Sequence, residues 1–215
     1  MSDLPVSPRV KLRREPSRGR HDRATIDAIL DRALVAHIAF VADGQPYCIP
    51  TLCARIGDRV LIHGSAASRM LRSLGAGAPA CLTATCTNGI VLARSVFNHS
   101  INYASAMVLG ELEAVTEPQE KLAALQAFTE KLVPGRWAEV RPPSAKELKA
   151  TAILSLRIEE ASAKLRTGPP SAEDPEVEAW AGVLPIHTAY GDPIPSPEQA
   201  PDLALAPSVA RLLAS

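Results

Sequence analysis

Apolar positions along this chain fall mostly into short runs bounded by turn residues, and in a few places into helical spacing. Ile26, Ile29, Leu30 and Leu34 repeat at helical intervals, which predicts a helix over 24–35 with Thr25 able to cap it. HIAFVA (37–42) and QPYCIPTLCARI (45–56) read as strands joined by Asp43-Gly44, a strong hairpin signal. Pro50 cannot donate to a ladder, so the second strand is expected to be an edge or to bulge there. RVLIHG (59–64) is a third strand, followed by a short helix from about Ala67 to Leu74. PACLTATCT (79–87) and GIVLARSVF (89–97) are expected to pair as a hairpin around Asn88-Gly89. SINYASAMVLGELEAV (100–115) reads as a long strand, bulged or bent at Gly110. The clearest helix is PQEKLAALQAFTEKLV (118–133), where Leu122, Leu125, Phe128 and Leu132 share a face. A last strand spans 151–165. Six or so strands, mostly hairpin-linked, with two or three helices around them predict a mainly β fold: a small antiparallel barrel with flanking helices.

Length and charge divide the chain. Its 215 residues suffice for one domain with some surplus. The reading is a flexible basic arm over 1–22, a barrel over 23–170, and a Pro-rich acidic extension over 171–215 that packs on the barrel or on a partner copy. Lys+Arg and Asp+Glu are equal at 23 each, so bulk charge argues for neither nucleic acid nor an anionic membrane surface. Aromatic residues, at 4%, are too few for a base-stacking surface. No apolar run approaches the roughly 20 residues of a membrane span. The basic N-terminus is followed by no apolar segment, so a secretory signal is not expected. A cytoplasmic protein with reduced cysteines is the expectation.

Candidate chemistry is narrow. Cys48 and Cys53, and Cys81 and Cys86, are spaced as C-x4-C, but on strands such pairs point to opposite faces and cannot chelate together. No Gly-x-Ser-x-Gly elbow and no His-Glu-x-x-His is present, and the five histidines show no ligand spacing. LIHGSAASRMLRSL (61–74) is more informative. It places Ser68 and Arg69 where a strand turns into a helix, behind a run of small residues. First-turn N–H groups, the helix dipole and an arginine fork would together suit a phosphate; a capping serine beside a solvated arginine is the plainer alternative. NHSINYASAMVLGEL (98–112) carries a polar run in its first half that includes Ser105, and Lys164 and Arg166 share one face of the last strand.

At these residues the sequence resembles the flavin-nucleotide-binding split barrels related to pyridoxamine 5′-phosphate oxidase, and among them the branch of the nitroimidazole-resistance proteins. The resembling segments are LIHGSAASRMLRSL, VLARSVFNHSINYASAMVLGELEAV, LRIEEASAKLRTGPP and WAGVLP (180–185), in order across roughly residues 20–186. The resemblance implies a six-stranded split barrel that forms a homodimer, with FMN in clefts between the two copies. It implies that Ser68 and Arg69 hold the FMN phosphate and that His63 and Gly64 lie beside the flavin. Ile49, Pro50, Thr51 and Leu52 would run along the isoalloxazine edge, and Ser105 would reach the flavin from the long strand. The oxidases follow the Ser-Arg pair with a lysine. Here Met70 stands there, and Lys164 or Arg166 would supply the missing cation. After Trp180 no arginine occurs until Arg211, so the vitamin B6 reaction itself is not expected.

The expectation is therefore an FMN-dependent oxidoreductase that acts on a small molecule, with NAD(P)H as a candidate electron donor and His63 as a candidate catalytic proton donor. The alternative is a non-catalytic flavin- or haem-binding dimer. A haem would need an axial ligand, for which His63 and His99 are the candidates. No metal-ion site is expected.

Overall fold

Residues 3–171, 174–200 and 202–214, described by a computed structural model, form an antiparallel sheet whose order in space departs from its order in sequence. The strands are β1 (Gly19–Arg20), β2 (Val35–Ala42), β3 (Gln45–Ile56), β4 (Arg59–Ser65), β5 (Ala80–Leu92), β6 (Ser100–Gly110), β7 (Glu113–Ala114), β8 (Thr151–Arg157), β9 (Glu160–Arg166) and β10 (Gly182–Pro185). The helices are α1 (Arg23–Arg32), α2 (Arg69–Gly75), α3 (Pro118–Leu132), α4 (Ala145–Ala150) and α5 (Pro207–Leu213). The strands lie in the order β1-β9-β6-β5-β2-β3-β4-β8-β7, with β10 beside β5. Mainly β with flanking helices holds; six closed strands do not, because the sheet has 10 strands and stays open.

The count differs for identifiable reasons. The stretch 151–165 is two strands: β8 pairs with β4 and β7, β9 with β6 and β1, at the two ends of the sheet. The stretch 100–115 likewise breaks after Gly110, where φ is +156, and β7 crosses to β8. Conversely, 80–92 is one continuous strand rather than a hairpin. Its pairing with β6 shifts register between Thr87 and Gly89, so Asn88 is the extra residue of a bulge. Gly89 is needed for close approach: a Cβ there would stand 2.9 Å from the Leu184 carbonyl oxygen of β10. Asp43-Gly44 does turn a hairpin, with φ of +53 and +74. Pro50 sits opposite His37 of β2, on the part of β3 whose other edge is unpaired, as a proline requires.

Packing explains where each face points. α1 is capped by Asp22, whose carboxylate accepts from the Thr25 N–H at 2.8 Å; Thr25 lies inside the helix rather than capping it. Ile26 and Leu30 of α1 join Ile38, Ile62, Leu82 and Leu156 in the main core. β4 alternates: Val60 and Ile62 enter that core, whereas Leu61 packs outward in a second cluster with Ala54, Ile153 and, from α3, Ala124 and Phe128. The buried stripe of α3 is thus Ala124 and Phe128. Leu125 is only partly buried and Leu132 is 43% exposed, so part of the face predicted from spacing has no cover.

The end of the chain returns to this region. α5 docks on Glu139: the Ser208 N–H donates to its carboxylate at 2.8 Å, and the buried Ser208 hydroxyl donates as well. Ser208→Ala is expected to lower the unfolding free energy by about 1–3 kcal/mol, since it removes a buried donor to a charged acceptor. Urea denaturation monitored by circular dichroism measures this, and an unchanged midpoint would show that α5 is not anchored there.

Candidate functional site

The continuous sheet opens between β3 and β4. Their pairing runs from Ile56–Arg59 to Cys53–Ile62 and stops. The same register would set Leu52 opposite His63 and Thr51 opposite Gly64, but the strands part instead. Residues 49–52 keep their partners on β2, opposite Ile38 to Val35, and leave their other backbone edge free. Beside this opening the chain leaves β4 through a turn in which the Ser68 N–H donates to the Ser65 carbonyl at 2.9 Å, and α2 begins. Ser68 is the N-cap residue, yet its side chain makes no capping hydrogen bond. Arg69 lies over the ring of Tyr47 on β3, 4.3 Å from its centroid, and makes no ion pair among the described residues. A helix start, a free strand edge and an unpaired guanidinium thus come together. Five of the residues singled out in the sequence, Thr51, Leu52, Gly64, Ser68 and Arg69, surround one opening, whereas the His63 side chain turns to the other face of β4, against Phe128.

Ser105, Lys164 and Arg166 do not join them. Ser105 pairs with Lys164 across β6 and β9, and its hydroxyl donates to the Lys164 carbonyl at 3.4 Å. The Lys164 ammonium donates to the Arg14 carbonyl of the N-terminal arm, and Arg166 donates to Asn102 Oδ1 at 2.6 Å. Ala104, Ala106 and Ala163 face the core, so Ser105, Lys164 and Arg166 face outward. β6 lies three strand spacings from β3, about 14 Å. Within one chain these are two separate patches.

A second concavity lies on the outer side of β3 and β4, beneath α3. It is a cavity of about 580 Å³ that Leu52, His63, Leu125, Phe128 and Leu132 line, with Arg136, Trp137, Val140 and Arg141 from the segment after α3. The His63 ring packs against Phe128, centroids 4.3 Å apart. Burial pushes its imidazole below the ordinary 6.5, so the ring is neutral at pH 7. His63 Nδ1 is buried and has no hydrogen-bond partner. His99 is placed differently: on the exposed β5–β6 connection, its Nδ1 accepts from the Ala93 N–H at 3.2 Å. Arg136 and Arg141 are paired with Glu139 and Glu147 at 3.2 and 2.7 Å.

Sequence reasoning passed over Tyr47 and the stretch PGRWAEVR (134–141). The available signal was a tryptophan between two arginines in a chain with 2 tryptophans, directly after the strongest helix. The cysteines lie on β3 and β5 as expected, with Cys48 exposed and Cys53 buried. Among the described residues no helix is long and apolar enough to cross a membrane.

An open antiparallel sheet that parts beside a helix start is the split-barrel arrangement. This chain belongs to the pyridoxamine 5′-phosphate oxidase family, whose profile it matches over residues 22–165. It is similar over its whole length to the flavocytochrome Anf3 of Azotobacter vinelandii: 39% identity, 97% of this chain and 99% of that one covered, TM-score 0.88. It is similar also to the FAD- and haem-binding protein of Mycobacterium smegmatis: 40% identity, coverages of 91% and 97%, TM-score 0.86. A protein of Bacteroides thetaiotaomicron described as a 5-nitroimidazole antibiotic resistance protein shares the fold: 17% identity, coverages of 68% and 85%, TM-score 0.56. No curated protein matches the chain.

Proposed function

We propose that this protein is a flavin- and haem-carrying redox protein that oxidises or reduces a small molecule. The observation that carries this reading is the end-to-end likeness, at 39% and 40% identity, to two proteins named for carrying these cofactors. The flavin reading is FAD in place of the expected FMN, because FAD is the flavin that one of these names specifies. Residues 49–52 offer backbone groups to the flavin edge, and Gly64 lets it approach. Ser68, the first-turn N–H groups of α2 and Arg69 hold a phosphate. Bound there, the flavin would supply hydride and electron transfer, and the chain supplies position and exclusion of water.

The reading includes a homodimer. Ser105, Lys164 and Arg166 form a patch on β6 and β9, apart from the opening beside β3 and β4, and in this reading they complete the site of a second copy. An exposed apolar row supports this: Ile101, Ile90 and Leu184 stand side by side across β6, β5 and β10, and Phe97 beside them is 94% exposed.

One preparation tests the reading. The purified protein is expected to show flavin and Soret absorption and to release FAD on heating, identified by mass. It should sediment at about twice 22.8 kDa and be reduced anaerobically by NADH or NADPH. Release of FMN would restore the first expectation for the flavin. Flavin that no donor reduces would leave a carrier, not an oxidoreductase. A colourless protein that takes up neither flavin overturns the proposal.

A further inference from the structure

We infer that the cavity beneath α3 is the haem site and that His63 is the side chain that ligates its iron; this rests on the reading that the chain carries a haem. Four independent features of one place converge on it. The cavity, about 580 Å³, is of the size that accepts a compact cofactor. Its walls are mostly apolar, with Thr129 and Glu147 also on them, and Leu132 and Val140 stand 43% and 40% exposed there. α3 is the longest helix, yet Leu125 is only partly covered by the barrel and Leu132 is left exposed. A porphyrin face supplies that cover.

His63 is the second feature. It is the one histidine on the cavity wall, and no hydrogen bond reaches its ring among the described residues. Its Nδ1 is enclosed by the protein, so Nε2 is the ring nitrogen left open to a partner outside the chain. The third feature is charge: Arg136 and Arg141 flank the same cavity, and a haem carries two carboxylates. A guanidinium has five donors, so each arginine can keep its glutamate and still donate to a carboxylate. The fourth is support: Glu139 is held by Ser208 of α5, and the Gly135 and Trp137 N–H groups donate to Glu130 of α3, at 2.6 and 3.0 Å. The segment that bears the arginines is therefore fastened on both sides. Gly64, next to His63 on β4, points to the opposite side of the strand, with Leu71 of α2 as its near neighbour. The flavin opening and this cavity thus lie back to back across β4.

The test uses the full chain, purified with its flavin and titrated with haemin, read by Soret absorption and by electron paramagnetic resonance of the ferric iron. The wild type is expected to take up one haem per chain. His63→Ala should keep its flavin, bind haem about 10–100-fold more weakly, and show an altered iron signal that added imidazole restores. Leu132→Trp, which fills the cavity and leaves His63 in place, should keep flavin and lose haem; it decides the matter if His63→Ala does not fold. His99→Ala should behave as wild type. A wild type that keeps flavin but takes up no haemin overturns the haem reading and this site together. A wild type that binds haem, with both His63→Ala and Leu132→Trp unchanged in affinity and iron signal, overturns the site alone.

Discussion

Replacing Ile62 by alanine is expected to lower the unfolding free energy by about 2–5 kcal/mol. Ile62 is fully buried on β4, registered between Cys53 of β3 and Leu154 of β8. Its side chain enters the main core with Ile38, Leu82 and Leu156, all close to zero exposure. Alanine removes three carbons that neighbours on at least three strands touch. Strands held by hydrogen bonds on both sides cannot move in to fill the space, so a cavity term adds to the lost transfer free energy. Ile62→Val, which removes one carbon, should cost only about 0.5–1.5 kcal/mol. Urea denaturation followed by circular dichroism gives both values. A loss below about 1 kcal/mol for the alanine variant would mean that the core is not closed around β4 as described. The position also matters for function, because β4 carries Ile62 into the core and His63 out of it one residue later.

Replacing Arg69 by alanine should weaken flavin binding by about 10–100-fold. Hydrogen bonds to charged groups contribute roughly 1.5–3 kcal/mol, and each 1.4 kcal/mol is a factor of about ten. Arg69 is exposed and rests on Tyr47, a contact of about 0.5–1 kcal/mol at such a site. Tyr47 therefore holds the guanidinium beside the start of α2 without neutralising it. Lysine at this position keeps the charge but not the fork, so Arg69→Lys should fall between wild type and alanine. Tyr47→Phe, which retains the ring, should change little. Titration of flavin-free protein, read by quenching of flavin fluorescence, ranks the four. Equal affinity for wild type and Arg69→Ala would remove the phosphate role and leave Ser68 as an ordinary helix cap.

Much of the site was legible because it is local. Ser68 and Arg69 at a strand-to-helix turn follow from seven consecutive residues, and α2 begins at Arg69. The bounds of β3, 45–56, follow from two turn signals and a run between them, and the structure keeps them. The cavity was not legible in the same way. His63 comes from β4, Phe128 from α3 and Trp137 from the segment after it, and nothing in the spacing of 63, 128 and 137 announces their meeting. Asn88-Gly89 shows the same limit. The dipeptide that turns a hairpin elsewhere makes a bulge here, because β10, nearly a hundred residues later, needs a place without a Cβ.

The sequence by itself determined the class of the fold, the hairpin at Asp43-Gly44, the course of α3 and the small-residue turn into α2. Each is set by interactions within a few residues: positive φ that glycine permits, a 3.6-residue apolar spacing, a helix start beside small side chains. Only the tertiary structure decided that 151–166 belongs to two ends of one sheet, that β3 and β4 part at Leu52 and His63, and that the apolar face of α3 is half covered. Period two tells which residues share a face of a strand. It does not tell which strand lies beside it, or where the neighbour leaves; those follow from pairings between residues far apart in the chain, and the openings are where such pairings stop.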